Sequence, residues 1–122
     1  MRWRFRFRLR ILMMLVAVVA VAVWAEMTRR RWVLLGKAAW YAKWEQADLR
    51  GAEAWENAAA RDQREAEALK DFGAEPRDTL IQRSLNAADT ATWFRQRAAE
   101  DARLKRLYER AASQPWGAVE AD

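Results

Sequence analysis

Hydrophobic positions along the chain fall into three regimes. Arg2–Arg10 alternates strictly, with Arg at even positions and an aromatic residue or leucine at odd ones. Ile11–Ala25 (ILMMLVAVVAVAVWA) is then a run of 15 residues without a charge. From about Thr28 onward, apolar residues recur at helical spacing among Glu, Arg, Gln and Ala. The alternating segment, taken as a strand, puts all its charge on one face. The uncharged run reads as a membrane-spanning helix, and the remainder reads as amphipathic helix.

Residues 28–72 contain no Pro and are rich in good helix formers, which predicts a first helix. Trp40, Trp44, Ala47, Gly51, Ala54 and Ala58 recur at 4-3-4-3-4 spacing, so they share one stripe. Small residues on such a stripe let a second helix approach closely. Gly36 and Gly51 each cost about 1 kcal/mol against Ala inside a helix, and the place of Gly51 on the stripe gives it a packing role. Gly73-Ala74-Glu75-Pro76 is the clearest break, with Gly73 suited to ending one helix and Pro76 to starting the next. The second helix is expected from about Arg77 to Ser113. Thr79 and Gln82 have capping-box spacing, and the poor helix formers of Asn86–Thr92 mark a candidate interruption. Leu80, Ala87, Ala91, Phe94, Ala98, Leu104, Tyr108 and Ala111 form its apolar stripe, and Pro115 stops it.

The fold class that follows is all-α: an N-terminal transmembrane helix followed by a helical hairpin or short coiled coil. The expected organisation is residues 1–10 as an Arg/aromatic cytoplasmic tail, 11–27 as a transmembrane anchor, 28–113 as a helical hairpin turning near 73–76, and 114–122 as a flexible tail. The alanine-rich core is thin, so self-association or a partner helix is expected to complete it.

Charge sharpens the membrane reading. Residues 1–37 carry eight Arg, Lys37 and Glu26, a net +8, while residues 38–122 carry 13 basic and 16 acidic residues, a net −3. The basic character therefore flanks the apolar run, which favours anionic lipid headgroups over nucleic acid as the partner. Arg2, Arg4, Arg6, Arg8 and Arg10 lie ahead of the run, and Arg29, Arg30 and Arg31 lie behind it. Trp3, Trp24 and Trp32 sit where an amphipathic ring meets the interface. Fifteen helical residues span about 22 Å, and extension from Leu9 to Met27 reaches about 28 Å, close to the hydrocarbon thickness of about 30 Å. Two rival readings remain open. A cleaved secretory signal fits the basic leader and Val23-Trp24-Ala25, and would release a small helical binding protein near Ala25. A buried core helix fits the run but leaves too little other apolar sequence to surround it. A five-arginine tail is hard to translocate, so the N-terminus is placed in the cytoplasm of a bacterial cell.

Candidate chemistry is sparse. The chain has no His and no Cys, which removes the commonest general base, the commonest metal ligand and any disulfide. It carries no phosphate-binding glycine loop, zinc-ligand set or nucleophile elbow. Glu45 with Asp48, and Glu53 with Glu56, have the spacing of a solvated helix face. Trp40, Tyr41 and Trp44 fit helix packing better than a ligand clamp, and Ser84 and Ser113 have no histidine to activate them. No catalysis, cofactor, metal or small-molecule substrate is expected.

Two stretches, Phe5–Val23 and Arg103–Val119, resemble the ends of a group of short uncharacterised bacterial single-pass membrane proteins. In that group an Arg/Phe-rich leader enters an apolar anchor, and the chain closes with Tyr-Glu-Arg-Ala-Ala and then Pro-Trp. Here those closing residues are Tyr108, Glu109, Arg110, Ala111, Ala112, Pro115 and Trp116. The chain lacks the Tyr-His pair and the proline-rich acidic tail of that pattern. The resemblance implies a bacterial membrane location and brings no catalytic residue. As a docking element, the closing motif offers Tyr108 and Trp116 as anchors and Arg106 and Arg110 as charge partners. As plain structure it is a helix end stopped by Pro115.

Overall fold

The computed structural model describes residues 2–114, with side chains from Arg8 onward. The described residues form two helices and no strand: α1, Arg2–Ala68, and α2, Ala74–Ser113. The chain divides into two compact units, Met1–Lys37 with Leu107–Asp122, and Ala38–Arg106.

Helix α1 includes the alternating Arg2–Arg10 segment, which is helical and not extended. A 3.6-residue period does not gather alternate positions on one face, so the one-faced ribbon expected from the pattern does not form. The segment continues without a break into the best helix formers of the run, and adding one residue to an existing helix is far easier than nucleating a new element.

In the unit Ala38–Arg106, burial on α1 follows a seven-residue repeat. Ala38, Ala52, Ala59 and Ala66 are buried, and Glu45 on the same repeat is half-buried. These are the a positions of a heptad whose d positions are Tyr41, Asp48, Trp55, Asp62 and Leu69. On α2, Ser84, Ala91 and Ala98 repeat in the same way as a positions, with Lys105 next in the series. Leu80, Ala87, Phe94 and Asp101 are the matching d positions. The pairing is antiparallel, as shown by Glu45 against Lys105, Gly51 against Phe94 and Glu56 against Arg95. That register sets Ala52 level with Ala98, Ala59 with Ala91 and Ala66 with Ser84. Every buried hydrophobic residue among those described is an alanine. Alanine at most of the a positions lets the helices approach more closely there than leucine would allow.

The stripe expected from the 4-3-4-3-4 spacing is displaced. Trp40, Ala47 and Ala54 are c positions and Trp44, Gly51 and Ala58 are g positions, beside the seam and not within it. Trp40, Trp44 and Ala54 are exposed, whereas Ala47, Gly51 and Ala58 are half-buried. Gly51 alone of the six has a documented close approach: a Cβ there would stand 3.1 Å from Phe94 Cε1. The glycine makes room for the Phe94 ring.

The turn works as the Gly-Pro signal suggests, with shifted boundaries. Backbone bonds from Leu69 N to Glu65 O, Lys70 N to Glu67 O and Phe72 N to Leu69 O close the end of α1. Gly73 has φ of 120°, which favours glycine, and it is the one positive-φ residue among those described. Helix α2 then starts at Ala74, with Glu75 and Pro76 in its first turn. Thr79 therefore lies inside the helix, and its hydroxyl donates to Glu75 O at 3.0 Å instead of capping a terminus. The expected interruption at Asn86–Thr92 does not occur. Thr90 donates to Asn86 O at 2.8 Å and Thr92 to Ala88 O at 3.0 Å, so both hydroxyls are satisfied within an intact helix.

A bulky side chain at the seam should force the helices apart. Ala52 is only 1% exposed. Ala52→Leu is expected to lower stability by about 1–3 kcal/mol through overpacking, while Leu49→Ala, at an exposed position, changes it by no more than about 0.5 kcal/mol. Thermal unfolding of the full chain in nonionic micelles, followed by circular dichroism, measures both.

Candidate functional site

The features that remain for function are an apolar helix surface, an aromatic flank and a charged layer. The first belongs to the unit containing residues 1–37. The twelve large apolar side chains among Leu9, Ile11–Val23 and Trp24 are 50–71% exposed. One stretch of α1 is long and apolar enough to cross a membrane by length and composition, with a mean hydropathy of 2.3 over its best 18 residues. Among the described residues, none covers it. Of the expected interface residues, Arg8, Arg10, Arg29, Arg30, Arg31, Trp24 and Trp32 are all exposed. Glu26, the acidic residue nearest the run, lies 3.9 Å from Arg29 Nη1 and 3.2 Å from Arg30 Nε. That local neutralisation reduces what Glu26 costs near an apolar phase. The side chains of Arg2, Trp3, Arg4 and Arg6 lie outside those described.

The second feature lies on the unit Ala38–Arg106. In an antiparallel pair the g positions of the two helices adjoin, with the c positions next to them. Trp40 and Trp44 on α1 and Trp93 on α2 occupy these c and g positions, and Trp55 joins them from a d position. Their exposures run from 42% to 56%. Trp55 is exposed despite its d position, because an indole packed beside the buried alanines would overfill the seam. Trp40 packs edge-on against Trp44 with ring centroids 5.7 Å apart, and Trp93 against Phe94 at 5.0 Å. The Arg97 guanidinium stands 5.3 Å from the Trp93 ring centre. Trp40 and Trp44 are thus part of an exposed aromatic flank and Ala47, Ala54 and Ala58 lie at c and g positions beside it, whereas Gly51 meets Phe94 of α2 as a pairing residue.

The charged layer crosses the seam of the same unit. Lys105 Nζ donates to Glu45 Oε2 at 3.3 Å, and Arg95 Nη2 reaches Glu56 Oε1 at 2.7 Å. Asp48 is buried, and its Oδ2 lies 3.4 Å from Arg97 Nε without the alignment of a hydrogen bond. Sequence spacing hides Asp48 and Ser84, because neither residue type marks a core. Ser84 is accommodated by donating to Ile81 O at 2.8 Å. Asp101 occupies the d position facing Asp48. Its carboxyl is raised above the ordinary 3.8, first by burial and then by the Asp48 charge, with smaller upward contributions from Glu100 and Glu45 and an opposing one from Arg97.

Among the closing-motif residues, Tyr108 receives Lys37 Nζ at 5.3 Å from its ring centre. Arg106 and Arg110 are also engaged within the chain, so they are not bare charge partners. Trp116 lies outside the described residues. Among those described, no group of three or more metal-ligating side chains is placed to hold an ion. No protein-family model matches the chain, and neither a curated protein nor a solved structure is similar to it.

The raised Asp101 carboxyl has a defined pH signature. The folded form binds this proton more readily than the unfolded form. The unfavourable charge is therefore present above the raised value and relieved as pH falls through it towards 3.8. Asp101→Asn is expected to raise the unfolding temperature at pH 7, and the gain should shrink as pH falls through the raised value and vanish only below 3.8. Paired melts of the two chains across that range decide it.

Proposed function

We propose that this chain is a single-pass bacterial membrane protein. In this reading residues 11–27 form the anchor, the N-terminus is cytoplasmic, and the helical pair is a non-catalytic interaction module. The observation that carries the reading is the exposed apolar surface of Leu9–Trp24, far larger than a water-soluble surface normally leaves open. The eight Ile, Leu and Val residues of 11–25 favour insertion by about 2–5 kcal/mol, before Ala, Met and Trp are considered. One charge at the centre of a span costs about 2.5–3.5 kcal/mol, so two central arginines outweigh that gain. The Arg clusters at both ends support contact with anionic headgroups.

The aromatic flank supports the interaction role. Trp40, Trp44, Trp55 and Trp93 give an amphipathic, low-entropy contact surface of the kind enriched at protein interfaces. Anchoring confines copies to a plane and raises their effective concentration, which favours a second copy as one occupant of this flank. A partner helix of another protein is the other occupant.

Alkaline carbonate extraction of membranes containing the full chain, tagged at its C-terminus, tests the anchor. The tag is expected in the pellet, and Val16→Arg with Val19→Arg should move it to the supernatant. A shortened product in the supernatant for the unaltered chain would instead establish cleavage near Ala25 and a secreted helical binder.

The chain has no cysteine, so one introduced thiol reports self-association cleanly. Ala54→Cys in membranes is expected to yield a disulfide-linked dimer on mild oxidation. Adding Trp40→Ala and Trp44→Ala should reduce the yield several-fold. Equal yields with and without the tryptophans would remove this flank as the contact.

A further inference from the structure

Near the turn of the unit Ala38–Arg106, a cavity of about 450 Å³ opens between the end of α1 and the start of α2. Three cations line it: Arg64, Lys70 and Arg77. Glu67 and Gln63 add polar groups, and Ala60, Ala66 and Ile81 supply an apolar wall. Elsewhere in this unit Arg95, Arg97 and Lys105 each reach a carboxylate, and Arg50 and Arg61 donate to backbone carbonyls. Lys43 and Arg83, like the cavity cations, reach no carboxylate but line no cavity with them. Among the described residues, Arg64, Lys70 and Arg77 reach none. Glu67 stands three residues from both Arg64 and Lys70, a spacing that permits helix ion pairs, yet it closes with neither. Three unpaired cations around one concavity repel one another and attract an anion.

We propose that this cavity binds a phosphate monoester. Three cations against one carboxylate leave two positive charges, and a phosphate monoester carries about −1.5 to −2 at pH 7. A carboxylate or a phosphodiester, with one charge, neutralises only half of that. Two guanidinium groups suit the bidentate recognition of phosphate oxygens, and Lys70 adds a compact ammonium. The volume falls within the range of about 300–1,000 Å³ typical of small-molecule sites and is far too large for phosphate alone. The organic remainder of the ester lies against Ala60, Ala66 and Ile81. Both a soluble phosphate ester and a lipid with a monoester headgroup have this chemistry.

The test is binding to the full chain in nonionic micelles, with glycerol 3-phosphate as the soluble probe and phosphatidic acid doped into the micelles as the lipid probe. Phosphatidylglycerol, a diester, is the matched control. Saturable binding of either monoester is expected, with phosphatidylglycerol much weaker. Binding of glycerol 3-phosphate assigns a soluble ligand, and binding of phosphatidic acid alone assigns a headgroup. Arg64→Gln and Arg77→Gln should each weaken binding by about tenfold or more, whereas Arg50→Gln, which lies outside the cavity, should not. Circular dichroism checks that each variant keeps its helix content. If a variant loses helix, Lys70→Gln replaces it. Equal affinity for monoester and diester, binding unchanged in the cavity variants, or no binding of either monoester would each overturn the proposal.

Discussion

The alanines that fill most a positions, broken by Glu45, Ser84 and Lys105, are the constraint from which the rest of the helical pair follows. A methyl group is the smallest side chain that still excludes water, so two helices that meet through Ala52, Ala59, Ala66, Ala91 and Ala98 come close together. Close approach gains backbone and methyl contact but gives each residue little apolar area to bury. It also removes the space that large side chains would fill. The tryptophans are consequently displaced to the flank, and a phenyl ring enters the contact only where Gly51 makes room. Small residues inside and large ones outside invert the ordinary arrangement of a soluble domain. Such a surface is better suited to meeting another surface than to facing water.

The same closeness governs the charges. Long charged side chains pair across the seam and beside it: Glu45–Lys105 does so from a positions and Glu56–Arg95 from the edge. Asp48 is short enough to fit inside, where it loses water and gains only one misaligned cation. Buried, incompletely satisfied charge is unfavourable for stability, and its use lies in discriminating one pairing from another. The Asp48 charge near Asp101 adds repulsion to that layer, which with burial holds the Asp101 carboxyl above its ordinary value.

Several features were legible in the residues alone. The charge-free run, the two helices, the Gly73 turn and most of the α2 stripe all rest on strong local signals. The pairing face of α1 was not legible. Trp40 and Trp44 dominate any hydrophobic count and draw the eye to the c and g positions, whereas the true seam is written in alanines, a glutamate and aspartates with little apolar weight. Thr79 misled for a related reason: a hydroxyl residue near a Pro resembles a cap, yet the helix already begins at Ala74. Thr90 and Thr92 lower intrinsic propensity, but tertiary pairing and back-bonding to Asn86 and Ala88 outweigh it. The cation cavity was invisible because Arg64, Lys70 and Arg77 come together only across the turn.

The repeat of identical methyl groups carries one further physical consequence. A surface patterned every seven residues looks the same after a slide of one repeat, about 10 Å along the axis. The alanine contacts alone are thus close to degenerate in register, and beyond the fit of Phe94 against Gly51 the apolar face offers little to break the tie. Chemical identity at a few sites does: Glu45, Asp48 and Glu56 meet cations in one alignment and would lose them in the next. The methyl groups set how far apart the helices stand, and the ion pairs act as detents that select where along each other they stop.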